Sequence, residues 1–171
     1  MCSLLSRHRL WRVRLCLILS HAHPHSNKFV AAARLGVMQV IQVSAIVMRD
    51  PRGYVLNVRK RGTTMLMLPG GKPEQTESPA ETAIREFQEE LGIGLDPALL
   101  KPLGEFRAAA ANEPGHTLIA HVFTHPFVAG VRALAEIDHL EWIHPSTART
   151  DLAPLTIDCV FPALVEQSAH F

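Results

Sequence analysis

The sequence predicts one α/β domain, with mixed strands layered against helices at two positions. Three observations carry this reading. Two runs with strand character, Val40–Met48 and Tyr54–Val58, are joined by the turn residues Asp50-Pro51-Arg52-Gly53. Residues 80–91 then repeat their apolar side chains at helical spacing between a start signal and a stop signal. A length of 171 residues suits one domain, and 47% hydrophobic against 19% charged residues is enough apolar material for a packed core.

Val40–Met48 (VIQVSAIVM) is apolar and rich in β-branched residues, as a buried strand should be. Tyr54-Val55-Leu56-Asn57-Val58 returns as the second strand. Leu66-Met67-Leu68 forms a short third element, stopped by Pro69-Gly70-Gly71. The helix opens at Ser78-Pro79-Ala80-Glu81. Ser78 suits the N-cap, Pro79 the first helical position, and Glu81 completes a capping box. Gly92 is placed to end it in a left-handed conformation. Leu103–Ala111 and Thr117–Thr124 read as a hairpin around Asn112-Glu113-Pro114-Gly115. Leu140–Ile143 is a short strand, and residues 155–168 form a closing helix. No internal repeat is present.

Charge is unevenly spread. The formal net charge is +1, yet residues 1–37 hold six of the 17 Lys and Arg and no acidic residue. From Met38 onward 11 basic residues face 16 acidic ones, a net of −5. Such a body offers no basic footprint for nucleic acid, so no nucleic-acid partner is expected. An anionic ligand would need a metal to bring it in. Residues 1–37 are expected to be a poorly ordered N-terminal extension of a domain at 38–171. Their Arg-rich, acid-free composition is shared with mitochondrial transit peptides, while Met38 opens the patterned segment as a natural start would. The run Leu15-Cys16-Leu17-Ile18-Leu19 is far too short to span a membrane, and no membrane association is expected. His21, His23 and His25 flank Pro24 and read as a solvated loop before they read as a metal site. Cys2, Cys16 and Cys159 lie far apart, with neither disulfide nor zinc spacing, which fits a reducing, cytoplasmic setting.

The helix carries the chemistry. Ala80, Ala83, Ile84, Phe87 and Leu91 form one apolar stripe. At 100° per residue, Glu86, Glu89 and Glu90 fall within an arc of about 100°, centred about 120° from that stripe. A solvated charged face is the ordinary reading of such a run, and it fits poorly. Glu86 is followed four residues on by Glu90 rather than by Lys or Arg, a spacing at which like charges cost roughly 0.2–0.5 kcal/mol per pair. A divalent cation offsets that repulsion directly. Oxygen ligands favour Mg²⁺ or Mn²⁺ over zinc. Arg85 stands four residues from both Glu81 and Glu89 and is expected to form an ion-pair ladder with them.

These residues resemble the Nudix box, G-x5-E-x7-R-E-U-x-E-E-x-G-U. Gly71, Glu77 and the run Arg85-Glu86-Phe87-Gln88-Glu89-Glu90-Leu91-Gly92-Ile93 fill every fixed position over 23 residues. Phe87 stands where an aliphatic residue is commoner. The resemblance runs from about Met38 to the C-terminus. It implies a Nudix α/β/α sandwich with a mixed sheet, the box forming a loop-helix-loop. It further implies that Glu86, Glu89 and Glu90 ligate the metal together with the Gly70 carbonyl. Gly71 and Lys72 would lie near the phosphates, and Glu77 and Arg85 would brace the motif. In MutT-like members a further acidic residue precedes a Trp by six positions, which here is Glu136 before Trp142, with Asp138 and Glu141 as competitors. Glu86 or Glu136 would take a proton from the attacking water. Arg59 and Lys60, closing the second strand, either contact phosphate or stand as a solvated strand end.

The implied activity is Mg²⁺- or Mn²⁺-dependent hydrolysis of a nucleoside diphosphate linked to another group, a nucleotide-type small-molecule substrate. No proline follows the box where many ADP-ribose hydrolases have one, because Ala108–Ala111 occupy that stretch, and no tyrosine stands there either. The motifs marking NADH and coenzyme A hydrolases are also missing. A MutT-like triphosphate pyrophosphatase, releasing nucleoside monophosphate and pyrophosphate, is what this leaves. ADP-ribose or another nucleotide sugar is the alternative substrate. A non-catalytic Nudix-fold regulator is the alternative role, though such modules typically lose box carboxylates and this chain keeps them all. Stacking of a base would fall to Phe, Met65, Met67 or Trp142, unless these are core residues. A homodimer is compatible with the chain.

Overall fold

The computed structural model describes residues 39–168. The N-terminal extension, His21, His23, His25, Cys2, Cys16 and Met38 lie outside the described residues. Six strands and two helices make the frame: β1 (Val40–Met48), β2 (Val55–Lys60), β3 (Gly70–Gly71), α1 (Pro79–Leu91), β4 (Lys101–Ala109), β5 (Thr117–His125), β6 (Ile137–Ile143) and α2 (Phe161–Ser168). Four strands form a mixed sheet in the order β3-β1-β5-β4, and β2 pairs with β6 in a second, two-stranded sheet. β1 and β5 run parallel over their whole length, from Val40 beside Thr117 to Met48 beside His125. β4 returns antiparallel against β5, so the expected hairpin forms.

β1 is the central element, and its composition shows why. Alternate side chains of a strand point to opposite faces, so where both faces are covered, as from Ser44 to Met48, a strand is largely apolar, while Val40 and Gln42 in its first half stay exposed. Ala45 and Val47 enter one core with Val122, Phe106, Val160, Phe161 and Leu164. Ile46 and Met48 enter the other with Leu56, Val58, Ala83, Phe87 and Leu91. The α1 stripe therefore covers one face of the sheet and α2 the other, which is the expected α/β/α layering. No helix among the described residues is long and apolar enough to cross a membrane.

Local departures from the expected elements have physical reasons. Leu66-Met67-Leu68 does not pair as a strand. Leu66 bridges Leu152 while Met67 bridges Val58, so consecutive residues are drawn to different partners, and regular pairing with β1 begins only at Gly70. β6 begins at Ile137, ahead of the expected Leu140. The closing helix starts as a wide π-turn at Leu155–Val160, with the Phe161 N–H donating to the Thr156 carbonyl, before α2 proper. Pro162 has no N–H to donate, so a regular helix through this point would lack a bond, and the turn widens just ahead of it.

Candidate active site

α1 begins and ends as its sequence dictates. The Ser78 hydroxyl accepts from the Glu81 N–H at 3.3 Å, and the Glu81 carboxylate accepts from the Ser78 N–H at 2.8 Å. Gly92 closes the helix at φ 74°, its N–H donating to the Gln88 carbonyl at 2.8 Å. Glu81 is thus committed to the cap. The ladder expected through Arg85 forms with Glu89 at 3.2 Å but not with Glu81. Instead, Arg85 reaches across the loop. Nε and Nη2 donate to the two Glu77 oxygens at 2.7 and 3.0 Å, Nη2 also reaches the Lys72 carbonyl at 3.1 Å, and Nη1 pairs with Glu86 at 3.0 Å. Hydrogen bonding to Arg85 pulls the Glu77 carboxyl down to about 2, and Glu77 in turn raises Arg85 further above its usual range. One planar guanidinium therefore ties the loop before the helix to the helix's acidic edge.

Gly70 and Gly71 bring the backbone of β3 against that edge. Gly70 has φ 148°, and a Cβ there would lie 2.1 Å from the Ser44 carbonyl oxygen. At Gly71 a Cβ would fall 2.4 Å from the Glu86 carboxylate, so the missing side chain is the space that Glu86 occupies. The Gly70 N–H donates to Glu90 Oε2 at 3.0 Å. Glu90 is only 2% exposed, and its burial pushes the carboxyl up to about 7 despite Lys60 and that hydrogen bond. Glu89 is the outermost of the three, its side chain 56% exposed.

Glu136 arrives from another part of the chain. The loop before β6 lies against the C-terminal end of α1, where the Leu134 N–H caps the Glu90 carbonyl at 2.9 Å and the Arg132 N–H reaches the Leu91 carbonyl at 3.3 Å. Lys60 joins the two sides, its Nζ lying 2.5 Å from Glu136 Oε1 and 3.0 Å from Glu90 Oε1. Burial alone would lower the Lys60 pKa, but the two carboxylates outweigh it and raise the ammonium above its usual value. Arg59, its neighbour, turns away to Asp138 at 3.1 Å. Of the Arg59-Lys60 pair, Lys60 lines the cavity beside these groups and Arg59 does not.

That cavity measures about 400 Å³. Lys60, Gly70, Gly71, Lys72, Glu86 and Glu136 supply its charged wall, and Ile41, Val43, Ala109–Ala111, Leu118 and Leu155 supply an apolar one. Lys72 is tethered at 3.1 Å to Glu113, on the turn between β4 and β5. Met67 reaches the cavity, whereas Trp142 packs into the core near Phe127. Two features escaped the sequence: Lys60 bridging the carboxylates, and Thr156. The Thr156 hydroxyl is buried without a hydrogen-bond partner, and the residue lines the same cavity. Nothing in an apolar closing helix marks such a threonine in advance.

The donor set fits a hard divalent cation in chemistry, being carboxylates alone with no thiolate or imidazole among them. The space for Glu86 over Gly71 and the buried Glu90 oxygen suit the same purpose. Among the described residues no three His, Cys, Asp or Glu side chains already converge into a ready cage. Arg85 holds Glu86 and Glu89, and Lys60 holds Glu90 and Glu136, so the charges that a cation would take are balanced by protein groups.

Comparison with known proteins agrees with this architecture. No curated protein matches the chain. Among solved structures, the MutT protein of Methanosarcina mazei Go1 superposes with a TM-score of 0.64 at 24% identity, covering 77% of this chain and 97% of that one. The ORF135 protein of E. coli gives 0.58 at 27% identity, covering 79% and 93%. A bifunctional NMN adenylyltransferase/ADP ribose pyrophosphatase from Francisella tularensis, complexed with AMP and a Mn ion, gives 0.60 at 18% identity, covering 77% of this chain and 43% of that one. The model of the NUDIX domain matches residues 38–162, so the chain belongs to the Nudix family and is one of its hydrolases.

Proposed function

We propose that this Nudix hydrolase cleaves nucleoside triphosphates to nucleoside monophosphate and pyrophosphate with Mg²⁺ or Mn²⁺ as cofactor. The observation that carries the reading is the cavity itself. One wall is built from Glu86 of α1, Glu136, two glycines and two lysines, and the other from aliphatic side chains and alanines, within about 400 Å³. A nucleotide has the same two halves, a charged phosphate chain and a flat, largely apolar base.

In this reading Glu86, Glu89, Glu90 and Glu136, with the Gly70 carbonyl, hold the cation. A bound Mg²⁺ or Mn²⁺ supplies charge neutralisation for the phosphates and a more acidic water. Lys72 and Lys60 face the phosphate chain from either side of Gly70-Gly71. Arg85 keeps Glu86 and Glu89 at the helix edge while its bidentate hold on Glu77 fixes the loop. Glu86 or Glu136 accepts the proton from the attacking water. The base lies against Ile41, Val43 and Leu118. The structural neighbours include a MutT protein, an ADP ribose pyrophosphatase and a UDP-X diphosphatase, so fold alone does not choose among substrates.

A panel of triphosphates and nucleotide sugars, run with Mg²⁺ in ¹⁸O-labelled water, tests the proposal. The expected result is monophosphate plus pyrophosphate, with label in one of these two and none in orthophosphate. Activity should vanish with EDTA and return with Mg²⁺ or Mn²⁺. Label in orthophosphate, or a clear preference for ADP-ribose over every triphosphate, would sink the substrate half of the proposal.

A further inference from the structure

We infer that Lys60 is the resident counter-ion of the Glu90–Glu136 pair and that the divalent cation binds by displacing it. The inference rests on the metal-site reading above and adds a role for a residue outside the box.

The geometry of Lys60 is specific. It is the last residue of β2, at an irregularity where the register against β6 slips between Arg59 and Lys60, so that Lys60 faces Ile137 and Asp138 is passed over. Such a bulge re-aims the side chain that follows it. Opposite, Ala135 has φ 49°, a left-handed conformation that few residues other than glycine adopt, directly before Glu136. The Arg61 N–H donates to the Glu136 carbonyl at 2.7 Å, tying these two irregular segments together. Both backbones are bent at the point where ammonium and carboxylate meet.

The chemistry explains what the meeting accomplishes. A carboxylate as buried as Glu90 is costly to ionise without a positive partner. The Gly70 N–H satisfies one of its oxygens. The other, Oε1, has the Lys60 ammonium 3.0 Å away but off the line that a hydrogen bond requires. Lys60 thus balances charge at this oxygen without completing its coordination. A divalent cation bridging Glu90 and Glu136 would occupy the same gap, and two cations cannot share it. The displaced ammonium would remain in the cavity that it already lines, facing the phosphates.

Two measurements test this. Amine labelling of the intact protein, read by mass spectrometry without substrate, should show Lys60 reacting several-fold faster when Mg²⁺ is added, with exposed Lys101 as the unchanged reference. Mn²⁺ affinity, read by electron paramagnetic resonance without nucleotide, should tighten about tenfold in Lys60→Met, equivalent to ~1.4 kcal/mol. Lys72→Met removes a charge from the same cavity without touching Glu90 or Glu136, and should change the affinity much less. Equal tightening in both variants would reduce the effect to a general field and overturn displacement. So would Mn²⁺ binding no tighter in Lys60→Met than in the parent protein, or Lys60 labelling left unchanged or slowed by Mg²⁺. If neither protein binds Mn²⁺, the metal-site reading falls and this inference with it.

Discussion

Replacing Glu90 by Gln should stabilise the metal-free protein at alkaline pH while destroying its activity. Glu90 is 2% exposed, and burial raises its carboxyl from 4.5 to about 7. One pKa unit corresponds to about 1.4 kcal/mol, so ionising Glu90 costs about 3 kcal/mol more in the folded protein than in the unfolded chain. The sign follows from the proton count. Between pH 4.5 and 7 the folded protein keeps a proton that the unfolded chain has lost, so stability falls as pH rises through this window and levels off above it. Gln mimics the protonated carboxyl and can still accept from the Gly70 N–H. In EDTA, urea denaturation should find the variant more stable by about 3 kcal/mol at pH 8 but by less than ~1 kcal/mol at pH 5. If the proposed metal site is right, saturating Mg²⁺ should reverse the order, because the parent protein, with all four carboxylates, would gain more from the cation than the variant. A variant less stable than the parent at pH 8 in EDTA, or a gain independent of pH, would refute the burial argument.

Gly71→Ala should fold and yet lose at least ~10-fold in rate, because the new Cβ would lie 2.4 Å from the Glu86 carboxylate and force that side chain aside. Unchanged steady-state kinetics would show that the Glu86 position is immaterial. Arg85→Lys keeps the charge but cannot reproduce the forked hold on Glu77, so thermal unfolding should show a melting temperature lower by a few degrees. The depressed Glu77 carboxyl contributes stability above pH 4.5 that is lost as pH falls toward 2, and this acid-side loss should be shallower in Arg85→Lys. Glu136→Gln should slow turnover about tenfold or more, ~1.4 kcal/mol or more in the barrier, and a rate within twofold of the parent would remove Glu136 from the site.

What the sequence determined by itself is what lies close together in the chain. The capping box, the proline at the first helical turn and the left-handed glycine fix α1 within a stretch of 15 residues, from Ser78 to Gly92. The helical period then fixes which side chains share its acidic edge, because that spacing is a property of the helix and needs no partner. The apolar run Ala45–Met48 likewise announces a strand segment covered on both faces. Tertiary structure decided wherever two distant segments meet. Arg85 prefers Glu77 to Glu81 because the loop folds back over the helix and the cap already holds Glu81. Arg59 and Lys60 are neighbours with the same charge, yet a slip in register against β6 sends one to Asp138 and the other to Glu90 and Glu136. Thr156 comes to line the cavity only because a widened turn ahead of Pro162 docks against β4. Local spacing is written in the order of residues, whereas a register slip or a docking contact depends on the packing of the whole domain.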